Sequence, residues 1–538
     1  MAGSSKTVRL ISATMAVSVA GVLSKILGFV RTMAVAAIFG TSAEVDALVV
    51  AQNIPGFLFG LIGAAIGTVV IPLFTRKRVT EGEEEAFRMA GSVWNCVLLL
   101  AVIVLILGEI AMPFLVRVVA PGFKDEVYNC AILLGRIMMP TVIFIGLRSI
   151  AGGMLNSLQV FGLPAFAGPV QNIVIIVAIF TLGDILGIQG LAFGTLVGMA
   201  FSLMILWYAL KERGFKAGHR INWHLPELKE IAMLALPVAV GSGLGIINGM
   251  VDRILASSLP TGNVAAMNYA TSLYTLPMVF LGSTLGVVLY PTLAEFSVSK
   301  EKTRMVGGIS RGLSIGALGV FPLAAGILAL AEPLTQVVYE RGVFSSDATT
   351  LTSGILLMYM IGVPAMSWRD ISAKAFYAEG DTRTPLWTGI LSVSVNIWVN
   401  LNLVGYLGAR GLALATSIAS WVGAISLMLL WDIKHKDKGY PKLINCNFLW
   451  ETAKVLLSTL VMFTGVHLFW LKVAQVKLGI TPSNLHTLVW LLISVALGAT
   501  IYFITSWLLK VKEFNFMVNT GKKGARKIKG MVLSLVNR

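Results

Sequence analysis

Charged residues are scarce in this 538-residue chain: Asp, Glu, Lys and Arg together make up 13% of it, against 56% hydrophobic residues. A soluble globular protein cannot cover its surface at that ratio, and the mean hydropathy of +0.83 agrees. Cysteine is almost missing. Cys96, Cys130 and Cys446 stand far apart, which argues against a disulfide framework and against a cysteine metal site. The histidines, His219, His224, His435, His467 and His486, show no ligand spacing. No Walker loop, zinc spacing or nucleophile elbow occurs, so no metal, no cofactor and no ATP hydrolysis by the chain itself is expected. Nor is a cleaved leader expected: the first apolar run is interrupted by Lys25 and Arg31 and continues to Phe39.

What is present is a series of apolar runs, each long enough to cross a bilayer as a helix. Fourteen are expected, at about 8–38, 44–74, 87–116, 128–156, 164–183, 186–210, 227–256, 264–296, 305–332, 349–377, 385–404, 410–432, 449–472 and 486–509. Backbone groups in lipid must pair internally, and runs rich in Leu, Ala, Gly and Ile suit helices better than barrel strands. The expected fold is therefore all-α and polytopic.

Basic residues sort to one side of this map. Even-to-odd connections hold Arg76, Lys77 and Arg78; Lys211, Arg213, Lys216 and Arg220; Lys300, Lys302 and Arg304; Lys434, Lys436, Lys438 and Lys442. The opposite connections hold few: Lys124, Arg341, Arg410 and Lys477. The positive-inside rule then puts both termini in the cytoplasm. The net charge of +16 is read as this topology, with no nucleic-acid partner.

The chain is also written twice. Residues 144–210 are echoed by 365–431 at a constant offset of 221, so that Pro164 pairs with Pro385 and Leu186-Gly187 with Leu407-Gly408. Upstream the echo weakens but survives: Gly67-Thr-Val-Val-Ile-Pro72 resembles Gly286-Val-Val-Leu-Tyr-Pro291. Six spans per copy is an even number, so the copies are expected to be parallel repeats. The expected divisions are a first lobe over 1–222, a second over 223–440, an added pair of spans over 441–510 and a basic tail over 511–538. That tail could lie on the anionic inner leaflet as an amphipathic helix or remain a disordered positive-inside segment.

Ionisable residues inside spans are costly and mark function or pairing. Lys25 and Arg31 could form an anion clamp if the first span bends near Gly28; Arg31 could equally pair with Asp46 as a structural tie. Arg148 and Arg369 stand at the repeat offset of 221. Two equivalent guanidinium groups could flank one pyrophosphate, since Arg forks match phosphate oxygens; they could instead be inherited helix–helix ties, with Arg369 partly neutralised by Asp370. Lys374 could line the same cavity or snorkel. Asp252 and Arg253 read as an interfacial pair. Hinges are expected at Gly28, at Pro55 and Gly56, and at Pro277.

Several stretches together carry a family likeness. Ser24-Lys-Ile-Leu-Gly-Phe-Val-Arg31, Ile38-Phe-Gly40 and Asp46-Ala open the chain; Ala120-Pro-Gly-Phe123, Leu155-Asn-Ser and Pro164-Ala-Phe follow; Tyr339-Glu-Arg-Gly-Val-Phe344 and Asp381-Thr-Arg-Thr-Pro385 complete the set. This combination resembles the MurJ (MviN) lipid II flippases of the multidrug/oligosaccharidyl-lipid/polysaccharide (MOP) exporter superfamily, whose fold is MATE-like. The resemblance implies two six-helix lobes plus two C-terminal helices, and a flippase moving undecaprenyl-pyrophosphate-linked peptidoglycan precursor from the inner to the outer leaflet of the bacterial cytoplasmic membrane. It implies a cationic central cavity and a lipid-tail groove at spans 13 and 14. By position, Lys25 takes the place of a span-1 arginine, Arg31 matches the second, and Asp46 matches the span-2 acid. The likeness departs at Gly60 and Ser272, which stand where the family pattern has basic residues.

The reading is thus a lipid II flippase working by alternating access, with Lys25, Arg31, Arg148, Arg369 and Lys374 toward the pyrophosphate. Coupling to the membrane potential or to a cation is left open. Membrane lipids and cell-wall synthesis enzymes are further expected partners. The alternatives are a flippase for another polyprenyl-pyrophosphate-linked glycan, favoured by Gly60 and Ser272; a cation-coupled exporter of the same superfamily; and a non-transporting scaffold.

Overall fold

The structure, a computed structural model, describes residues 2–217, 226–477 and 484–515. Among these every regular element is helical. Twelve of the helical stretches are long and apolar enough to cross a membrane. Two further long helices, Pro226–Ala256 and Asn263–Val298, lie at the seventh and eighth expected spans, and part of their side chains falls outside the described residues. The tail beyond 515 also lies outside them.

Proline and glycine shape several spans. The first, Ala2–Phe39, runs as one helix through Gly28. The second is Ala43–Pro55, then a π-helical turn over Gly56–Gly60, then Leu61–Glu81. Pro55 has no amide hydrogen to give to the helix, and a π turn is a common way to absorb such a fault. The fourth span is divided into Asp125–Met138 and Thr141–Ser157, separated by Met139 and Pro140. Hydropathy alone reads it as continuous because both halves are apolar. Asn263–Val298 continues helical through Pro277.

The chain forms two compact units. One comprises 1–269 with 340–348; the other comprises 270–339 with 349–538. In the first, Gly162–Thr181 packs against Ile188–Lys211 and against the first span, while Leu61–Glu81 packs against Thr141–Ser157 and Pro226–Ala256. In the second, Arg383–Leu407 packs against Ala409–His435, and Lys302–Tyr339 packs against Cys446–Lys477 and Asn484–Leu508.

The repeat is written into backbone geometry within each unit. Gly187 has φ 58° and ψ −139°, and Gly408 has φ 56° and ψ −136°. These are residues at the offset of 221, each just before the sixth helix of its copy. L-residues with a Cβ rarely adopt that conformation. Three residues on, a Cβ at Gly190 would lie 2.4 Å from the carbonyl oxygen of Leu182, and one at Gly411 would lie 2.7 Å from that of Leu403. The same turn brings the fifth and sixth helices of each copy equally close.

Candidate cation-lined site

Arg148 lies on Thr141–Ser157, in the first unit. Its Nη1 donates to Gln171 Oε1 on Gly162–Thr181 at 2.6 Å. The guanidinium borders a cavity of about 410 Å³, together with Ser149, Asn156 and Thr68. Tying one edge to a neutral amide leaves the full positive charge in place and fixes its direction. That is what an anion site needs, because a preordered fork loses little entropy on binding.

Arg369 lies on Ser346–Ala378, in the second unit. Its Cδ is 3.1 Å from where a Cβ of Gly423 would stand, and Ser392 Oγ is 3.3 Å from the same point. Ser392 is the residue at the repeat offset from Gln171. Each arginine therefore sits beside the same position of its fifth helix. Arg369 is exposed, as is Asp370. Asp370 accepts from Lys374 Nζ at 2.5 Å, one helical turn on.

Arg31 is half-buried and borders a separate small cavity with Gln52, Thr195, Asn268 and Tyr269. The structure does not bring it to the Arg148 cavity. Lys25 is exposed on the first helix. Near it, Asn172 Nδ2 donates to the carbonyl of Ser24 at 3.1 Å, which binds the first helix to the fifth.

Asp46 is buried, and both its oxygens are engaged by backbone: Gly262 N–H donates to Oδ2 at 2.6 Å and Ala265 N–H to Oδ1 at 2.7 Å. These are the unsatisfied amides at the start of Asn263–Val298, so Asp46 serves that helix as a cap supplied from 216 residues away. The carboxylate that could have tied Arg31 is spent on this cap. Two more bonds close around it. Tyr269 donates its hydroxyl to the carbonyl of Gly40 at 2.7 Å, and Val343 N–H donates to that of Ala37 at 2.9 Å. The stretches Ile38 to Asp46 and Tyr339 to Phe344 thus meet at one end of the first two spans.

At the other end of the second span the ties are charged. Arg76 forks onto Glu230 at 3.1 and 2.6 Å, and Lys77 reaches Glu227 at 2.8 Å. Arg253 donates to the carbonyl of Gly249 at 2.7 Å and lies over the Phe57 ring at 5.8 Å, beside the π turn; Asp252 is buried. A side chain added at Gly60 would meet nothing within 4 Å.

The stretch after the tenth span caps its neighbour. Asp381 accepts from the amides of Arg383 and Thr384 at 3.0 Å, from the Thr384 hydroxyl at 2.7 Å and from Lys434 Nζ at 2.6 Å. Burial alone would push this carboxyl up; the Lys434 and Thr384 donors outweigh it and hold it well below the ordinary carboxylate range.

The lipid II flippase MurJ family model matches residues 35–489 of this chain. The chain belongs to the MurJ family. The probable lipid II flippase MurJ of Rhizobium tropici is 30% identical over 505 residues, covering 90% of this chain and 92% of that protein. The lipid II flippase MurJ of Burkholderia cenocepacia is 25% identical over 518 residues, covering 94% and 99%. A solved structure of lipid II flippase MurJ in an inward closed conformation matches with a TM-score of 0.76 at 26% identity, covering 91% of this chain and 98% of that one. An inward-facing MATE transporter of the MOP superfamily matches with a TM-score of 0.66 at 18% identity, covering 77% and 95%; this likeness is of fold alone. A MurJ-family chain with this many apolar helices is a multi-pass protein of a bacterial inner membrane.

Within the MurJ frame, Arg148 and Asp46 stand out in the sequence as ionisable residues inside spans, whereas Gln171, Tyr269 and Asn268 do not. They are neutral and cost little in a span, so charge scanning has no purchase on them. The repeat was the one available signal for Gln171, through its register with Ser392.

Proposed function

We propose that this protein moves lipid II from the cytoplasmic to the outer leaflet for peptidoglycan synthesis, as a transporter without a chemical step or cofactor. The observation that carries the reading is Arg148: a guanidinium oriented by Gln171 at the wall of a cavity, in a chain matched by the lipid II flippase family over residues 35–489. Arg forks match pyrophosphate oxygens. Arg148 in the first repeat and Arg369 in the second are the pyrophosphate ligands, with Lys25 and Lys374 as further cations and Arg31 at its own, separate cavity. The lobes are 1–222 and 223–440, with 441–510 taking the polyprenyl tail. Both termini are cytoplasmic, as the basic connections require.

Alternating access needs the two ends of the cavity to open in turn, so what ties each end sets the balance between the two states. The ties at the two ends of the second span differ in kind. Arg76 and Glu230 are exposed, 57% and 38%, and exposed ion pairs contribute only about 0–1 kcal/mol each. The Asp46 cap is buried, and hydrogen bonds to a charged group contribute about 1.5–3 kcal/mol each. Of the ties at the cytoplasmic end only Arg76–Glu230 is this exposed; Lys77 and Glu227, 18% and 11% exposed, hold the same end from a more buried position. The bends would form at the π turn after Pro55 and Gly56, and at Gly28 and Pro277, through which the helices run unbroken in this structure. Moving a charged step through the membrane would draw about 2.3 kcal/mol per charge per 100 mV from the potential.

The deciding experiment is leaflet-specific translocation of lipid II by the purified protein in vesicles. Activity lost with Arg148→Ala at normal protein level supports the reading; translocation equal to empty vesicles sinks it. The second reading, a flippase for another polyprenyl-pyrophosphate glycan, rests on Gly60 and Ser272. It predicts that a well-inserted protein fails to complement a lipid II flippase depletion.

A further inference from the structure

The second unit holds a cavity of about 770 Å³ whose lining does not include Arg369. Its charged lining is Arg304 and Arg311 from Lys302–Tyr339, Glu451 from Cys446–Lys477, and Lys512 and Glu513 just after Asn484–Leu508. Its depth in the membrane follows from length and charge. Lys302–Tyr339 has 38 residues and is about 57 Å long, against ~30 Å of hydrocarbon. The helix is kinked at Leu330, and its first turns, with Arg304 and Arg311, directly follow the basic connection at Lys300 and Lys302, which marks this as the cytoplasmic end of the span. Trp450, 65% exposed and with Lys454 Nζ 5.9 Å from its ring, sits in the same turn as Glu451 and marks the interface as aromatic belts do.

The charges are unequally served. Glu451 is satisfied: Oε1 accepts from Lys454 Nζ at 2.9 Å and Oε2 from the amide of Lys512 at 3.0 Å. Glu513 is largely buried, and its Oε2 receives no hydrogen bond among the described residues. Arg311 Nε stands 3.7 Å from it, close enough for attraction but beyond a hydrogen bond. A carboxylate in that position calls for a compact donor of N–H groups. The two arginines are 69% and 59% exposed at the rim; Arg304 holds Glu301 at 2.7 Å in an exposed pair that is cheap to displace, and both guanidinium groups suit a phosphate. Phe296, Val306 and Ile315 give the same cavity an apolar wall. A carboxylate within, guanidinium groups at the rim and apolar contact beside them, all at head-group depth, complement a zwitterionic lipid.

We propose that this cavity binds the head group of a phospholipid bearing a primary ammonium, with the ammonium donating to Glu513 and the phosphate facing Arg311 and Arg304. The lipid is a resident of the inner leaflet and not the cargo. An anionic lipid would satisfy the arginines but leave Glu513 without a donor. A choline lipid carries no N–H at all.

The test is native mass spectrometry of the delipidated full chain titrated with phosphatidylethanolamine, phosphatidylcholine and phosphatidylglycerol of identical acyl chains. Phosphatidylethanolamine should bind best. Glu513→Gln should weaken it about tenfold and erase the preference, the loss expected for one charge-assisted hydrogen bond. Gly307→Leu is the second variant: a Cβ there meets nothing within 4 Å, and leucine favours the helix, so it fills the cavity without disturbing the fold. It should reduce all specific lipid binding at unchanged thermal midpoint. Equal or stronger binding of phosphatidylglycerol or phosphatidylcholine by the wild type overturns the proposal. So does a preference that survives Glu513→Gln, or occupancy unchanged by Gly307→Leu. Lipid II translocation, measured separately, does not enter these outcomes.

Discussion

Asp46 Oδ2 accepts a hydrogen bond from the backbone amide of Gly262 at 2.6 Å, across 216 residues of chain. An acid placed early in the second span thereby terminates a helix that begins long afterwards. Removing it with Asp46→Ala leaves two buried amides unpaired, and each such loss costs about 1–3 kcal/mol. We expect a clear fall in the thermal midpoint of the detergent-solubilised protein. Asp46→Asn keeps acceptor capacity without the charge and should fall between. A midpoint equal to wild type in Asp46→Ala would show that the cap holds nothing.

Gly342 tests the neighbouring contact. Its φ is +59°, and a Cβ there would lie 2.1 Å from the carbonyl oxygen of Ala37, a backbone atom that cannot rotate away. Gly342→Ala should break the Val343–Ala37 hydrogen bond and expose 340–348 to a thiol reagent at an introduced Phe344→Cys. Labelling no faster than with Gly342 intact would mean the segment is held by other contacts.

The charged ties at the far end of the second span should behave oppositely. Arg76→Ala removes an exposed pair with Glu230, so stability should change by less than about 1 kcal/mol. The conformational balance should shift, with faster labelling of a cysteine introduced at Gly152, which lines the Arg148 cavity and has open space for a side chain. A large loss of stability with no gain in labelling would make the pair a structural tie instead of a gate.

Arg148→Ala and Arg369→Ala should each abolish complementation at normal protein levels, and Gln171→Ala should impair it less, because it frees the guanidinium without removing it. Two silent arginine variants would end the symmetric-clamp reading. Gly60→Arg has open space to occupy and should raise lipid II affinity if cationic charge limits binding.

The Asp381 site gives a pH signature. Its folded-state pKa lies below the ordinary value of about 4, so its contribution is complete above that value and disappears as pH falls through the depressed one. The stability difference between wild type and Asp381→Asn should be constant near neutrality and shrink in acid. A difference that grows as pH falls would reverse the assignment.

The order of spans was legible in the sequence because lipid imposes one rule on every stretch of chain: pair the backbone internally and face outward with apolar atoms. The repeat was legible for a related reason. Gly187 and Gly408 are both glycine because the turn they make has positive φ in each copy. The break between Met138 and Thr141 was less so, because apolar composition does not report where a helix stops.

Partnership was decided by tertiary structure. From sequence, Asp46 had a cation, Arg31, within reach and no visible alternative; the fold supplies backbone amides from a distant helix start, and amides carry no mark in composition. Arg148 and Arg369 were recognisable as a pair by register alone. That Gln171 orients one, and that Glu513 Oε2 has no donor among the described residues, depend on which helices pack together, and packing couples residues hundreds of positions apart. The sequence alone determined a membrane protein built from two like halves, because hydropathy and repetition are properties of the chain. Where its charges find partners depended on the fold, because electrostatic partners are chosen by distance in space.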